Sequence, residues 1–214
     1  MILEVFPSGP LETNAILLGC SKTKHAAIID APFDSFHQIL QRVKKLGLKV
    51  EMILLTHSHW DHIAEAASMK KELKIPIYIH AEDAGNLESP GADGLPLLFP
   101  IEGVKADHFL SNDQIVPLGE MRIKVIHTPG HSPGCVCFYI ENEKTLISGD
   151  TLFRGAHGKT SFPTSSPKSM LESLKKLSKL PADTMVYPGH GPATTIGEES
   201  WMVRQINFNN EDDV

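Results

Sequence analysis

The sequence predicts an α/β protein in which two β-sheets pack face to face and helices cover their outer faces. Short apolar runs, typical of buried strands, recur along the chain and alternate with segments whose apolar residues follow helical spacing. The strand-like runs divide into two groups, each flanked by helical patterns, as expected for two layered sheets. Residues of metal-binding type follow several runs directly. We therefore expect these residues to meet along one edge of the sandwich.

The first half of the chain contains four predicted strands and three helical segments. The strands are apolar runs at residues 15–18, 26–29, 52–55 and 75–79. Apolar residues at helical spacing predict helices at residues 36–46 and 61–73, and one or two helical turns at 81–87. Gly47 is a stop signal for the first helix. Residues 89–100 are rich in glycine and proline and predict an irregular loop.

The second half follows the same alternation. Its strands are predicted at residues 121–125, 136–140, 145–147 and 184–187. Ser166 and Pro167 are a favourable N-cap and first-turn pair, and they predict a helix that runs to Leu177. A closing helix is predicted at 198–208, and the acidic end of the chain at 210–214 is expected to fray. No repeat or linker is apparent, so residues 1–214 are predicted to form one domain.

Composition excludes several classes of protein. The 214 residues carry a formal net charge of −6, which does not favour a nucleic-acid or anionic-membrane partner. Residues 1–7 lack the basic and apolar regions of a signal peptide, and no apolar run approaches the ~20 residues that span a bilayer. Cys20, Cys135 and Cys137 cannot all pair, and the last two are predicted to be small buried side chains. We therefore expect a soluble, cytoplasmic protein.

Seven residues of metal-binding type stand in turns after strand-like runs. Four fall within six residues, directly after the run at 52–55, and three more follow in glycine-containing turns. Imidazole and carboxylate are ligands that zinc accepts, and a two-metal hydrolase needs two such sets side by side. The seven residues are His57, His59, Asp61, His62, His131, Asp150 and His190. They suffice for two metal ions that share one bridging carboxylate.

The spacing of these residues has a physical reason. His57 and His59 are two residues apart, so in an extended turn they project from the same side and can bind one metal. Asp61 and His62 are adjacent at the predicted start of a helix, where the chain reverses, and can serve a second metal. Asp150 has two carboxylate oxygens and can bridge the pair.

In two downstream turns a glycine directly precedes the ligand-type histidine, and it has a structural role there. Gly130 and Gly189 let the backbone turn tightly enough to aim the following imidazoles inward.

Residues 130–134 match the Gly-x-Ser-x-Gly pattern of serine hydrolases, in which the backbone N–H after the serine helps to form the oxyanion hole. In this chain that residue is Pro133, which has no N–H. The serine mechanism is therefore excluded.

The other histidines are interpreted as packed or surface residues. They are His25, His37, His80, His108, His127 and His157. Two of them, His80 and His127, are the best candidates for orienting a metal ligand, because ligating side chains usually need a hydrogen-bonded partner. Trp60 is interpreted as a packing residue at the rim of the site.

The ligand motifs resemble those of the metallo-β-lactamase superfamily. The match consists of His57-x-His59-x-Asp61-His62, followed in order by His131, Asp150 and His190. Segments 128–134, 149–153 and 188–191 resemble glyoxalase II (hydroxyacylglutathione hydrolase) and its short bacterial relatives, and the resemblance spans nearly the whole chain. It implies an αββα sandwich of two mixed β-sheets with helices on the outer faces. It also implies one metal held by His57, His59 and His131, a second held by Asp61, His62 and His190, and a bridging Asp150.

The resemblance further implies hydrolysis of a small glutathione-derived thioester of the S-lactoylglutathione type. A hydroxide bridging two divalent ions, with zinc expected and iron or manganese as alternatives, would attack the thioester carbonyl. Asp61 could orient this hydroxide, and Asp150 would hold both metals. The thiolate leaving group, with a pKa near ~8.5, needs no strong general acid. Arg154 and Lys159, in the loop after Asp150, are candidate contacts to an anionic thiol carrier.

Two departures from the pattern concern the substrate. Full-length glyoxalase II has a C-terminal helical extension that supplies basic contacts to glutathione, whereas this chain ends about two dozen residues after His190. Short relatives often carry Gly-Arg-x-Asp-Phe-Pro after the bridging aspartate, and here residues 158–163 read Gly-Lys-Thr-Ser-Phe-Pro. The thiol carrier and the oligomeric state therefore stay open.

Other activities on the same fold are weighed against thioester hydrolysis. Persulfide dioxygenases resemble this motif set but use one iron held by residues matching His57, His131 and Asp150. Another ester or lactone hydrolase of the superfamily is a further alternative. The acidic composition argues against a nuclease, and the expected lack of an export signal argues against a β-lactamase.

Overall fold

The computed structural model describes residues 1–202, and within them the chain forms two six-stranded sheets and a short hairpin. The first sheet contains β1 (Ile2–Ser8), β2 (Thr13–Gly19), β3 (His25–Ile29), β4 (Lys49–Leu54), β5 (Ile77–His80) and β6 (His108–Leu110). The remaining strands are β7 (Ile115–Leu118), β8 (Met121–His127), β9 (Val136–Ile140), β10 (Thr145–Gly149), β11 (Leu152–Phe153), β12 (Ala156–His157), β13 (Met185–Pro188) and β14 (Thr194–Thr195). The α-helices are α1 (Phe36–Leu46), α2 (Trp60–Ile63), α3 (Ala66–Leu73), α4 (Ala84–Glu88) and α5 (Pro167–Leu177).

Both large sheets are mixed. In the first sheet the strands lie side by side in chain order, antiparallel from β1 to β3 and parallel from β3 to β6. The second sheet has the order β14-β13-β10-β9-β8-β7, and only the β10–β13 pair is parallel. β11 and β12 form the separate hairpin. No helix in residues 1–202 has the length and the apolar character needed to cross a membrane.

The side chains of the sheets form three apolar layers. Ile16 and Leu18 of β2 point into the layer between the sheets, where they pack with Phe138 of β9. Leu17 points to the opposite face and packs with the helix residue Ile39. This alternation buries β2 on both faces, as its continuous apolar sequence predicts. The outer face of the second sheet packs on α5 in the same way. The predicted two-sheet sandwich with outer helices is therefore confirmed.

One predicted helix is divided. Residues 61–73 were expected to form a continuous helix, but α2 and α3 are separate because the chain turns at residues 64–65. The Glu65 N–H donates to the Ala31 carbonyl at 2.8 Å. The Glu65 carboxylate accepts from the backbone N–H groups of Ser35 and Phe36, at the start of α1. These tertiary contacts stabilise the turn, and no local sequence pattern reveals them.

Several short edge elements have no strong pattern in the sequence. β1, β6, β7, β14 and the β11–β12 hairpin were not predicted, because they are short or half exposed and their pairing partners stabilise them. The closing helix predicted at 198–208 lies mostly outside the described residues, and the frayed end at 210–214 lies wholly outside them.

The C-terminal ends of β4, β8, β10 and β13 meet at one edge of the sandwich, where the ligand-type residues follow.

Candidate metal centre

The first four ligand-type residues lie between β4 and the end of α2. His57 and His59 stand in the connecting turn, and His59 has the extended backbone that precedes a helix, with φ −60° and ψ 146°. Asp61 and His62 lie in α2 itself. All four residues are at most 8% exposed. The predicted helix start at the motif is confirmed, and it turns the second pair of side chains away from the first.

The other three ligand-type residues are delivered by the second sheet. His131, Asp150 and His190 follow β8, β10 and β13, respectively. Gly130 has φ 147°, and a side chain there would press on the backbone of α5. Gly189 is needed for space, because a Cβ atom would overlap Asp150 Oδ1. The predicted conformational role therefore applies to Gly130, whereas Gly189 does not have a positive φ and is required for space.

The structure brings all seven side chains into one cluster. Donor atoms of His57, His59 and His131, which we call the imidazole group, lie within 4.8 Å of one another. Donor atoms of Asp61, His62 and His190, which we call the aspartate group, satisfy the same limit. The two groups have the composition that the resemblance implies for two metal positions.

Asp150 lies between the two groups. Its Oδ2 is 3.3 Å from Nε2 of His131, in the imidazole group, and 3.5 Å from Nε2 of His190, in the aspartate group. Its Oδ1 is 3.4 Å from Nε2 of His62. One carboxylate therefore faces imidazoles of both groups, which is the position that a bridging ligand requires.

Three buried atoms of the cluster support a metal site. Nε2 of His57 and Oδ1 of Asp150 have no hydrogen-bond partner among the described residues, and neither has Nε2 of His59. A buried polar atom without a partner is costly, so such atoms usually belong to a site that a ligand completes. Imidazole nitrogens and carboxylate oxygens are the donors that zinc, iron and manganese take. The residues present therefore fit divalent metal ions.

Asp30 orients ligands of both groups, and sequence analysis missed it. Its Oδ2 lies 2.8 Å from Nδ1 of His62 and accepts from the Thr56 hydroxyl at 2.8 Å. The same hydroxyl lies 3.0 Å from Nδ1 of His57. Asp30 directly follows β3 and has φ 60°. An acidic residue immediately after an apolar run was the available signal, as it was for the ligands.

Further partners hold the remaining ligands. Nδ1 of His131 lies 2.8 Å from the Lys159 carbonyl oxygen, and Nδ1 of His190 lies 3.1 Å from that of Leu11. The Thr13 hydroxyl donates to Oδ2 of Asp61 at 2.8 Å. Because each partner is far away in sequence, no spacing rule could have identified these contacts. They fix the ring orientations before any metal binds.

Asp83 is a second buried carboxylate that sequence analysis missed. Its Oδ2 accepts from the Ser58 N–H at 2.8 Å and from the Ser132 hydroxyl at 2.8 Å. Its Oδ1 accepts from the Gly134 N–H at 2.6 Å. Ser58 lies between His57 and His59, and Ser132 follows His131. Asp83 therefore ties together the two loops that carry the imidazole group.

Two rings of the imidazole group, those of His57 and His59, have a lowered pKa. Burial, followed by the charges of neighbouring imidazoles, lowers the pKa of His57 well below its ordinary value. Burial and the nearby His131 lower the pKa of His59 to about 3. Both rings are therefore neutral at physiological pH, which is the state that binds a metal.

In the aspartate group the charges of the carboxylates determine the direction of the imidazole pKa shifts. Burial alone would lower the pKa of His62, but Asp61, Asp150 and Asp30 raise it well above its ordinary value. The pKa of His190 is also raised, because Asp61 and Asp150 outweigh its burial. Despite burial, the charge of His62 lowers the pKa of Asp61 below its usual range. This group therefore holds ionised carboxylates beside imidazoles that keep their protons to higher pH.

The residues proposed to contact substrate lie at the rim. The Phe162 ring centroid is 5.5 Å from those of His59 and His131, and Nζ of Lys159 lies 4.9 Å above the Phe162 ring. Arg154 is exposed at the tip of the β11–β12 hairpin. Lys159 is therefore close to the imidazole group, whereas no described contact joins Arg154 to the cluster.

The remaining aromatic residues lie around the cluster rather than in it. Trp60 is 8% exposed and packs edge-on against Phe99, so its predicted packing role matches its position. His80 and His127 stack on each other and make no described contact with the seven ligand-type residues. The partners that orient the ligands are instead Asp30, the Thr13 hydroxyl and backbone carbonyls.

Cavity size does not identify this site. A cavity of about 580 Å³ opens at the opposite end of the sandwich, where Cys20, Lys22 and Arg122 contribute to its lining. A smaller cavity of about 200 Å³ lies beside His59 and Asp83. The donor chemistry of the seven side chains, and not the volume of a cavity, therefore locates the centre.

Comparisons with known proteins bear on the fold and on the family of this chain. A family model described as the metallo-beta-lactamase superfamily matches residues 8–190. The chain is 35% identical over 193 residues to the probable metallo-hydrolase YqgX of Bacillus subtilis, which covers 89% of this chain and 90% of that protein. It is 32% identical over 206 residues to the hydroxyacylglutathione hydrolase GloC of Haemophilus influenzae, which covers 93% of this chain and 95% of that protein.

Two solved structures extend the comparison. The BLEG-1 B3 metallo-beta-lactamase superposes with a TM-score of 0.86 at 38% identity, over 92% of this chain and 96% of that one. The protein TTHA1623, solved in a di-iron-bound form, superposes with a TM-score of 0.79 at 36% identity, over 94% of this chain and 97% of that one.

Proposed function

The chain belongs to the metallo-beta-lactamase superfamily, and we propose that it is a two-metal hydrolase of thioesters of the hydroxyacylglutathione type. Its two-sheet sandwich is the metallo-β-lactamase fold. The observation that carries the proposal is the pair of three-donor groups with Asp150 between them. A single structural metal would not need seven ligands and a shared carboxylate.

Individual residues of the chain would have distinct roles in the proposed hydrolysis. When bound, two divalent ions would polarise the substrate carbonyl and lower the pKa of an attacking water toward about 7. Asp150 would keep both positions at a fixed separation. Asp61, held by the Thr13 hydroxyl, would orient the attacking oxygen. The thiolate leaving group departs without a general acid because its pKa is near ~8.5.

The thioester substrate is supported by a relative and by the rim of the site. GloC of Haemophilus influenzae is named a hydroxyacylglutathione hydrolase, and it aligns with nearly the whole chain. We propose that Lys159, above Phe162, contacts the anionic thiol carrier, and that Arg154 makes a weaker contact from the hairpin tip. We further propose zinc as the metal, with iron or manganese as alternatives.

The decisive experiment measures metal content and S-lactoylglutathione hydrolysis together. We expect about two metal ions per chain, with zinc present, and turnover that falls to background in Asp150→Ala. Lys159→Ala is expected to raise KM by about two- to fivefold with little change in kcat, because an exposed charge pair contributes little binding energy. Lys168→Ala, an exposed lysine on α5, is the matched control.

A second candidate is an iron dioxygenase acting on glutathione persulfide. The di-iron-bound relative TTHA1623 supports iron as a metal for this fold, and the chain retains His57, His131 and Asp150, the residues that match the single-iron site of persulfide dioxygenases. One iron per chain, oxygen consumption with glutathione persulfide and no thioesterase activity would overturn the hydrolase proposal in favour of the dioxygenase.

Because BLEG-1 is named a B3 metallo-beta-lactamase, a β-lactam substrate belongs in the same assay. Turnover of the β-lactam alone would also overturn the thioester proposal.

A further inference from the structure

A second cluster of metal-binding side chains lies outside the centre. His80 is the last residue of β5, and His127 is the last residue of β8. Glu82 stands in the short 3-10 turn after β5. One donor atom from each of these residues lies within 4.8 Å of the other two. None of the seven residues of the metal centre belongs to this cluster.

The two carboxylate–imidazole distances of the cluster are close to those around a bound metal. Oε2 of Glu82 is 3.8 Å from Nδ1 of His80 and 3.6 Å from Nε2 of His127. Two ligands on one tetrahedral zinc ion are about 3.3 Å apart, given metal–ligand bonds near 2.0–2.1 Å. Because the Glu82 side chain is 56% exposed, its carboxylate can close this difference by a small movement.

The two imidazoles are already held together. Their rings stack with centroids 4.0 Å apart and an interplanar angle of 12°, and their side chains are only 14% and 21% exposed. Burial and the neighbouring His127 lower the pKa of His80, so this ring is neutral at physiological pH. Little conformational freedom would therefore be lost when a metal binds.

A path for the ion is present, and hydrogen bonds at both imidazoles compete with the metal. Nδ1 of His80 accepts from the Glu82 backbone N–H at 3.4 Å. A cavity of about 300 Å³ is lined in part by Glu82, His127 and Pro133. Nε2 of His127 lies 2.9 Å from the Pro133 carbonyl oxygen. A metal on that nitrogen must displace this contact, so we expect weaker binding than at the metal centre.

We propose that His80, Glu82 and His127 form an accessory site for a divalent cation of the zinc type, distinct from the two-metal centre. Two imidazoles and one carboxylate are a donor set found in zinc sites, and such sites leave one position for water. The site would link β5 of the first sheet to β8 of the second. It does not depend on which reaction the metal centre catalyses.

Zinc binding at saturation tests the proposal. Full-length wild-type protein is equilibrated with increasing Zn²⁺ by dialysis, and the zinc bound per chain is measured. We expect two tight equivalents and a third, weaker one. Glu82→Gln should lose the third equivalent and keep the first two, and it should fold normally because Glu82 is exposed. His37→Ala, an exposed histidine on α1 outside any metal-binding group, should keep all three.

A second variant and a second measurement separate this result from adventitious binding. His80→Ala should also lose the third equivalent. Excess Zn²⁺ should raise the unfolding temperature of the two-zinc wild-type protein further, because a ligand that binds only the folded state stabilises it. This additional rise should be absent in Glu82→Gln. A wild-type protein that saturates at two equivalents, or a third equivalent that survives in both variants, would overturn the accessory site.

Discussion

The imidazole group and the aspartate group of the metal centre have the same number of donors but different charge. Burial and neighbouring imidazoles keep protons off His57 and His59. In the aspartate group the carboxylates raise the pKa of His62 and His190, so these rings hold protons to higher pH. The difference arises mainly because Asp61 and Asp30 lie on the side of the aspartate group.

This difference means that the two metal positions are not equivalent. A metal entering the imidazole group displaces no proton from His57 or His59, whereas one entering the aspartate group must displace the protons of His62 and His190. The carboxylate of Asp61 in turn offers a negative charge that the imidazole group lacks. We therefore expect the two metals to bind in sequence: the imidazole group fills first, and the aspartate group loses its metal first as the pH falls.

The largest effect on metal affinity is expected from Asp30, which orients one ligand of each group. Asp30→Asn removes one acceptor oxygen from a side chain that holds His62 directly and His57 through Thr56. We expect both metal equivalents to bind about 10–100-fold more weakly, the usual cost of losing a partner that orients a metal ligand. Competition with a chromophoric chelator measures the two affinities.

Asp34→Asn is the matched control for this variant. Asp34 has φ 63°, close to the φ of 60° at Asp30, but it is exposed and contacts none of the ligands. If Asp30→Asn weakened only one of the two equivalents, the two groups would not be linked through Asp30.

Acid should affect the aspartate group more than the imidazole group. A raised imidazole pKa means that the metal-free ring is protonated below that pKa, so affinity falls as the pH decreases through it. Each displaced proton reduces affinity about tenfold per pH unit below the pKa. The second equivalent, with two such rings, should therefore weaken more steeply as the pH falls through the raised pKa values of His62 and His190. Chelator competition at several pH values gives both slopes, and equal slopes would contradict the assignment.

A change at Asp83 should act on the imidazole group. Asp83→Asn replaces one of two oxygens that accept from Ser58, Ser132 and Gly134. At least one buried donor is left without a partner, which costs about 1–3 kcal/mol of unfolding free energy. Denaturant unfolding measures this loss. The first metal equivalent should weaken while the second stays close to its wild-type affinity. A second equivalent weakened as strongly as the first would show that Asp83 supports the whole centre.

The smallest effect is expected at Thr13, on the side of the aspartate group. Thr13→Val keeps the shape of the side chain but removes the hydroxyl that donates to Asp61 at 2.8 Å. Because Asp61 keeps its neighbour His190 at 3.2 Å, we expect about a tenfold loss or less in the affinity of the second equivalent. Thr13→Ser retains the hydroxyl and should restore the affinity. A weakened first equivalent would contradict the separation of the groups.

Much of the fold could be predicted because local patterns agree with the tertiary structure. The apolar periodicity of α1 gives its observed bounds, and the Ser166–Pro167 pair starts α5 where expected. The continuous apolar run of β2 reflects burial on both faces. The interruption between α2 and α3 was not predictable, because Glu65 is held there by residues near position 31 and at the start of α1.

The sequence by itself determined the two-sheet class and the seven candidate ligands, because strand periodicity and ligand chemistry are local properties of the chain. Only the tertiary structure decided which side chains orient those ligands. Asp30, Asp83 and Thr13 act through hydrogen bonds to residues 25 to 51 positions away in sequence. Of the three, Asp30 alone carries a local signal, its position directly after an apolar run, and spacing identifies no partner for any of them. The difference in charge between the two donor groups likewise depends on burial and on distances that exist only once the sheets have packed.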